Sequence, residues 1–292
     1  MKIVTTFDAA RDLAVGPLAL IPTMGALHEG HLALVDAATA AGAASVMMSV
    51  FVNPLQFDDP ADLDRYPRDL DRDTDLAASA GVDVMFAPPV GEMYPEEPVL
   101  RVSAGALGEP LEGRRAGHFD GVATVVTKLF AGLQPQIAVF GRKDAQQVAV
   151  IRRLVIDLSF PVSIVGAPTL REPDGLALSS RNVFLDDRTM ALSLSRGLFA
   201  AAEAIDAGER TPQAVEAIVA DEVESAGATL HYSRLVDAAT MGPAEAVRGG
   251  TFLAVAAQVG KVRLIDNVHI EPDGSVDRGH RLANQSTLTG GT

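Results

Sequence analysis

"LALIPTMGALHEGHLALVDAATAAG" occupies residues 18–42, and its reading decides the fold. "LALIP" (18–22) is a short continuous apolar run, as expected of a strand buried on both faces. "GHLALVDAATAAG" (30–42) has helical periodicity and stops at Gly42. Between them stands "GALHEGH" (25–31), with two histidines three apart among glycines. Three readings compete for it. His28, Glu29 and His31 are all possible metal ligands. A turn at the start of a helix is a possible phosphate site, because the first helical turn offers unpaired N–H groups and the positive dipole end. An ordinary surface loop is the third. For phosphate, Thr23 and Gly25 fall in the turn, and His28 and His31, spaced i, i+3, share a helical face. Against metal, the metalloprotease helix spaces its histidines four apart, and here no third ligand follows.

The same alternation continues outward. "SVMMSVF" (45–51), "VDVMFAP" (82–88), "QIAVFG" (136–141) and "VSIVGAP" (162–168) read as buried strands. Helices are expected over 67–81, 118–133 and 143–158, the last with Val148, Ile151, Val155 and Leu158 on one stripe. Near-continuous apolar strands alternating with helices imply a parallel sheet covered on both faces. Residues 1–175 are therefore expected to form a doubly wound α/β domain. In such sheets ligands bind beyond the carboxyl ends of the strands, where "GALHEGH", "NPLQF" and "GRKD" all fall. Residues 176–270 change pattern. Two helices (187–207 and 212–226) precede strands at 230–237, 251–259 and 261–267, with Gly260 and Lys261 as a hairpin turn. This is a smaller C-terminal α+β domain. Residues 271–292 lack periodicity and are expected to be a flexible tail. No internal repeat is visible.

Composition narrows the function. The chain has 292 residues and no cysteine, which excludes disulfides, thiolate nucleophiles and iron–sulfur clusters. Its net charge of −14 argues against broad contact with nucleic acid. The N-terminus reads as no signal peptide, and no stretch approaches the ~18 apolar residues of a membrane helix. The expectation is a soluble cytoplasmic protein acting on small molecules, bound to neither nucleic acid nor membrane.

Three further segments carry chemistry. "FVNPLQF" (51–57) places Asn53 and Gln56 after a strand, as turn formers or ligand contacts. In "FGRKDAQQ" (140–147), Gly141 lets a ligand approach the backbone, and Lys143 and Gln147 at i, i+4 face one way. Asp144 suits a first turn, whereas a lysine there opposes the helix dipole, a local conflict that marks sites. In "REPDGLALSSRN" (171–182), two hydroxyls and a guanidinium after a Pro-Asp-Gly turn suit a polyphosphate clamp.

"PTMGALHEGH", "FVNPLQF", "FGRKDAQQ" and "DGLALSSRN", in this order and spacing, resemble the pantoate–β-alanine ligase (pantothenate synthetase) family. "LEGRRAGHFDGVATVV" (111–126) and "RLIDN" (263–267) extend the resemblance to nearly the whole chain except the tail. "HEGH" is similar to the HxGH signature of class I nucleotidyltransferases and synthetases. The resemblance implies a Rossmann-like fold, a homodimer, and a two-step reaction with ATP as substrate and Mg²⁺ accompanying it. Pantoate attacks the α-phosphorus, giving pantoyl adenylate and pyrophosphate. The amine of β-alanine then attacks the acyl group, giving pantothenate and AMP.

The resemblance also implies roles. His31 is the proton-donating catalytic residue, with His28 beside it, and Lys143, Ser179 and Arg181 complete the catalytic set. Each preorganised donor of this kind is worth roughly 10²–10³ in rate. ATP contacts fall on Met24, Gly25, Ala26, Leu27, His28, Glu29, Gly30 and His31. They continue on Gly141, Arg142, Lys143 and Asp144, and on Leu170, Leu178, Ser179, Ser180 and Arg181. Asp144 lies at the ribose or near Mg²⁺. Gln56 and Gln147 bind pantoate, and Gln56 also β-alanine. A neutral amide reads hydroxyls and a carboxyl oxygen without quenching the nucleophile. Arg142 and Ala145 depart from the family's more frequent glutamate and aromatic residue. "LEGRRAGHF" is short for the gate in which Glu112, Arg115 and His118 would act. The competing readings are another HxGH nucleotidyltransferase, acting on a small phosphorylated alcohol, and a non-catalytic nucleotide-binding module.

Overall fold

The computed structural model describes residues 1–113 and 117–286. The chain divides into two units. The first gathers Met1–Leu27, His31–Gly141 and Gln146–Ala167; the second gathers His28–Gly30, Arg142–Ala145 and Pro168–Thr292. The division falls at Ala167/Pro168 rather than at the expected 175/176. It also moves much of the expected nucleotide site, including His28, Glu29, Lys143 and Asp144, out of the first unit.

The first unit runs β1 (Lys2–Val4), α1 (Phe7–Leu13), β2 (Leu18–Thr23), α2 (Glu29–Ala40), β3 (Ser45–Val50), α3 (Pro60–Arg65) and α4 (Leu70–Ser79). It continues with β4 (Val84–Phe86), α5 (Val90–Met93), α6 (His118–Leu133), β5 (Ile137–Gly141), α7 (Ala145–Asp157) and β6 (Ser163–Ala167). The sheet order is β1-β4-β3-β2-β5-β6, and every pairing is parallel. Successive strand residues enter opposite apolar layers, as period-2 geometry requires. Leu18, Leu20, Met47 and Phe140 pack with Val126, Leu129 and Ile151 of α6 and α7. Ala19, Ile21, Met48 and Val139 pack with Leu34, Val35 and Ala77 of α2 and α4. The sheet is doubly wound, as its continuous apolar strands predict. Strand order reverses between β2 and β5, so their carboxyl ends form the switch point where such sheets bind ligands.

Several local readings change. β1 and α1 carry no pattern in the sequence, because β1 is three residues long and largely exposed. The helix expected from Pro67 begins at Leu70, where the Asp69 side chain caps Arg72 N–H. Residues 142–144 form a 3-10 turn ahead of α7, so Lys143 precedes the helix that carries Gln147. The buried stripe of α7 is Val148, Ile151 and Leu154, whereas Leu158 lies past the helix end and is 47% exposed.

The second unit contains β7 (Leu170–Arg171), α8 (Arg188–Asp206), α9 (Pro212–Ser225), β8 (Thr229–Asp237), β9 (Thr251–Val259), β10 (Val262–Ile270), β11 (Val276–Asp277) and β12 (His280–Arg281). Its four-stranded sheet, β11-β10-β9-β8, is antiparallel. α8 and α9 cover it through Leu194, Leu198, Val215 and Val219 against Leu253 and Val255. Gly260 and Lys261 form the β9–β10 turn, as expected, with Val259 opposite Val262. The expected flexible tail is corrected over its first part. β11 adds to β10 and β12 pairs in parallel with β7. Two-residue strands recruited by an existing edge leave no periodic signature. Residues 287–292 lie outside the described residues. Among the described residues, no helix is long and apolar enough to cross a membrane.

Candidate active site

The turn after β2 is held from α4. Gly25 has φ +83°, and Ala26 follows at φ +52°, a left-handed conformation that costs an alanine roughly 1–2 kcal/mol. The Asp73 carboxylate, 1% exposed, accepts hydrogen bonds from Ala26 N–H (2.9 Å) and Leu27 N–H (2.7 Å). Arg72 donates to Leu27 O (3.0 Å). Burial pushes the Asp73 carboxyl above its ordinary pKa, partly opposed by those two N–H bonds. A Cβ on Gly25 would stand 2.8 Å from Asp73 Oδ2. The Ala26 and Leu27 amide N–H groups thus hold an internal carboxylate.

His28 precedes α2 rather than lying on it. Its Nδ1 accepts from Gly30 N–H (3.0 Å), as a capping side chain does. In a neutral ring the proton then sits on Nε2. Gly30 is required by this arrangement, since a Cβ would meet the His28 ring at 2.7 Å. Glu29 opens α2, and its carboxylate accepts from Ser286 Oγ (2.5 Å). His31 follows in the first turn of α2, half-buried.

"NPLQF" forms a buried amide network in the first unit. Asn53 Nδ2 donates to Gln56 Oε1 (2.9 Å) and to Gly121 O (3.0 Å). Tyr94 Oη donates to Asn53 Oδ1 (2.9 Å), and burial pushes that phenol up to about 12. With its oxygen so engaged, Gln56 has its Nε2 as the donor end. His118 Nδ1 pairs with Gln56 O (3.0 Å), so its Nδ1 carries the proton. Of the neighbouring glutamines on α7, Gln146 is structural: it accepts from Glu112 N–H (2.9 Å) and donates to Leu107 O (2.9 Å). Gln147 is half-buried. Arg115 lies outside the described residues.

In the second unit, Arg142 is neutralised. It pairs with Glu271 and with Asp277 (3.2 Å), so its positive charge is spent on two acids. Asn267, 4% exposed, donates from Nδ2 to Arg142 O (3.1 Å) and Lys143 O (2.8 Å), fixing the 3-10 turn. Lys143 makes no ion pair among the described residues, and neither does the exposed Arg181. Ser179 caps the turn Ser180–Phe184 by accepting from Arg181 N–H (3.2 Å). Lys143, Ser179 and Asn182 line one cavity of ≈ 10 Å³, room for about one water and no nucleotide. Leu178 N–H donates to Leu170 O (2.9 Å), which brings the two expected adenine contacts together. A Cβ on Gly141 would meet no protein atom within 4 Å, so the space beside it is open. A cavity of ≈ 310 Å³ near Tyr94 and Lys128 contains none of the expected site residues.

Beneath this lies a buried hub. Arg171, fully buried, gives both guanidinium NH₂ groups to Asp266 (2.6 and 3.0 Å). It also donates to the carbonyls of Gly175, Asn267 and Arg278. Asp73, Arg171, Asn267 and Ser286 escaped sequence reasoning. Two of them stand in quoted segments, Arg171 as the first residue of "REPDGLALSSRN" and Asn267 as the last of "RLIDN".

Residues 2–269 match the family model described as pantoate-beta-alanine ligase. The pantothenate synthetase of Acidothermus cellulolyticus is 52% identical over 267 residues, 89% of this chain and 88% of the relative. That of Pelobacter propionicus is 51% identical, covering 86% and 89%. The crystal structure of pantoate-beta-alanine ligase (pantothenate synthetase) from Thermus thermophilus is similar with a TM-score of 0.87 and 45% identity, over 93% of this chain and 100% of that one. A pantoate-beta-alanine ligase of Francisella tularensis, complexed with β-γ ATP and β-alanine, is similar at TM-score 0.70 and 34% identity, covering 91% and 97%. The chain belongs to the pantoate–β-alanine ligase family.

Proposed function

We infer that this chain joins pantoate to β-alanine at the expense of ATP, through a pantoyl adenylate, releasing pyrophosphate and AMP. The observation that carries the reading is the family match over residues 2–269, which contains all four motif segments. The geometry supports it: Lys143 and Arg181 keep unneutralised charge while their neighbour Arg142 is paired off. Lys143 offsets phosphate charge, as phosphoryl transfer requires, and Arg181 with Ser179 and Ser180 holds the triphosphate tail. His28 donates through Nε2–H to a phosphoryl oxygen, and His31 is the proton donor. Gln147 and Gln56 hold pantoate, Gln56 through its Nε2.

Mg²⁺ fits as a companion of ATP. Among the described residues no group of three His, Cys, Asp or Glu could hold a metal ion, and Mg²⁺ with nucleotides needs only one or two carboxylates besides phosphates and waters. Exposed Asp144 is the carboxylate that would take it. When bound, the ion neutralises charge developing on the phosphates. A cytoplasmic homodimer completes the reading, in keeping with a cysteine-free chain; sedimentation velocity tests the dimer.

Pyrophosphate–ATP exchange tests the reaction. Exchange that requires pantoate, before any β-alanine is added, supports the adenylate. Exchange without pantoate points to another HxGH transferase, and no exchange to a non-catalytic module.

A further inference from the structure

The family match ends at residue 269, yet the chain beyond it returns to the HxGH motif. β12 lies along β7, with His280 N–H on Thr169 O and Leu282 N–H on Arg171 O (both 2.8 Å). Arg171 Nε holds Arg278 O (2.5 Å). The segment then delivers Ser286, which is fully buried. Ser286 N–H donates to Glu172 Oε2 (2.8 Å) and Ser286 Oγ to Glu29 Oε2 (2.5 Å). One serine thus bridges two acids, one of them inside "HEGH".

We propose that Ser286 is a positioning residue of the nucleotide site, acting through Glu29. This rests on the ligase reading above. Glu29 is the first residue of α2. A carboxylate in a first turn is drawn to the helix's own leading N–H groups and positive end. Those groups are what an ATP phosphate would use. The Ser286 hydroxyl gives the Glu29 carboxylate a different, charge-assisted partner, and so keeps a competing anion from the phosphate position. Without the hydroxyl, the Glu29 carboxylate loses this bond and competes more strongly with ATP. The backbone bond to Glu172 survives a side-chain change, so the strap itself stays attached.

The test is steady-state kinetics of Ser286→Ala, Ser286→Thr and Ser286→Ala in a Glu29→Gln background. Loss of one hydrogen bond to a charged acceptor converts to roughly a tenfold to hundredfold rise in the ATP KM for Ser286→Ala. The pantoate KM stays unchanged, and Ser286→Thr returns the ATP KM to the wild-type value. In the Glu29→Gln background, Ser286→Ala changes the ATP KM less than twofold, because the competing charge is gone. An unchanged ATP KM in Ser286→Ala overturns the proposal. So does a rise in both KM values with a lowered melting temperature that threonine does not rescue, which marks a merely structural contact. If the wild-type chain lacks pantoate-dependent exchange, the ligase reading fails and this proposal falls with it. An active wild type with an insensitive Ser286→Ala sinks this proposal alone.

Discussion

Asn267→Ala separates holding a fold from holding the lysine proposed to meet ATP. The Asn267 amide makes two hydrogen bonds from a single Nδ2, to Arg142 O (3.1 Å) and Lys143 O (2.8 Å). Each is worth about 1 kcal/mol net, and a buried carbonyl left without a donor costs about 1–3 kcal/mol. His269 Nε2 stands 3.5 Å from Arg142 O and gives that carbonyl partial relief. The stranded group is then mainly Lys143 O, and the total comes to about 2–3 kcal/mol. This energy has two destinations. If the 3-10 turn stays rigid, all of it appears as lost stability. If the turn relaxes to wet its carbonyls, stability falls by only ~1 kcal/mol and Lys143 moves. A displacement of ~1 Å at a phosphate-neutralising group costs about 10²-fold in rate.

The turn is half-buried at Arg142 and Lys143 and exposed at Asp144, so relaxation is the expected course. Pyrophosphate–ATP exchange reads the rate, and urea unfolding reads stability. Asn267→Ala is expected to lose about 10²-fold in kcat with a small stability change. Adding it to Lys143→Ala is expected to cost no more than Lys143→Ala alone, since residues acting as a unit are not additive. An enzyme with wild-type kcat and ATP KM, yet destabilised by the full ~2–3 kcal/mol, would refute the positioning argument and leave Asn267 a structural residue.

Three further outcomes are expected. Arg171→Met strands Asp266 and three carbonyls in a site where the arginine is fully buried; the cost of about 3–5 kcal/mol lowers the calorimetric Tm by roughly 10 °C. A drop under about 3 °C would contradict the hub. His269 stacks on Phe252 at 5.3 Å, and burial, with Arg142 adding repulsion, lowers its pKa to about 4. Its folded pKa lies below the unfolded value of 6.5, so the unfolded state binds the proton first. Stability is therefore lost as pH falls from about 6.5 toward 4, by up to about 2–3 kcal/mol; His269→Phe removes that slope in urea titrations, and an unchanged slope counts against it. Gln147→Ala is expected to raise the pantoate KM by about tenfold with the ATP KM unchanged, and a constant pantoate KM would exclude Gln147 from the acid's site.

The fold was legible because its signals are repetitive. Each central strand is buried on both faces, so "LALIP" and "SVMMSVF" carry no charged residue, and the two serines of the second are buried. The candidate site was proposed where side-chain chemistry is unusual in place, as with two histidines beside glycines, or a lysine just ahead of a helix. What stayed hidden acts through backbone atoms. Asp73 sits in "DLDRDTDL", among acids on a largely exposed helix, and nothing local distinguishes it from Asp71 or Asp75. Its partners, the amides of Ala26 and Leu27, lie more than forty residues away. Ser286 in "ANQST" reads as linker for the same reason: its two acid partners are 114 and 257 residues distant.

These hidden residues share a task. A turn that offers donors to a substrate cannot also spend them on itself, so its shape must be imposed from outside. The turn after β2 carries two successive positive-φ residues, and Asp73 imposes the shape by taking the N–H groups of Ala26 and Leu27. The turn after β5 is shaped by Asn267, which takes carbonyls and leaves the Lys143 side chain alone. Ser286 does the same for a side chain, engaging Glu29. The arrangement explains why short motifs are weak evidence of an intact site. "HEGH" and "GRKD" carry the side chains proposed to meet the substrate, whereas the geometry of each is set by one buried polar side chain from a distant element. A chain could keep both motifs and lose the activity through any of Asp73, Asn267 or Ser286.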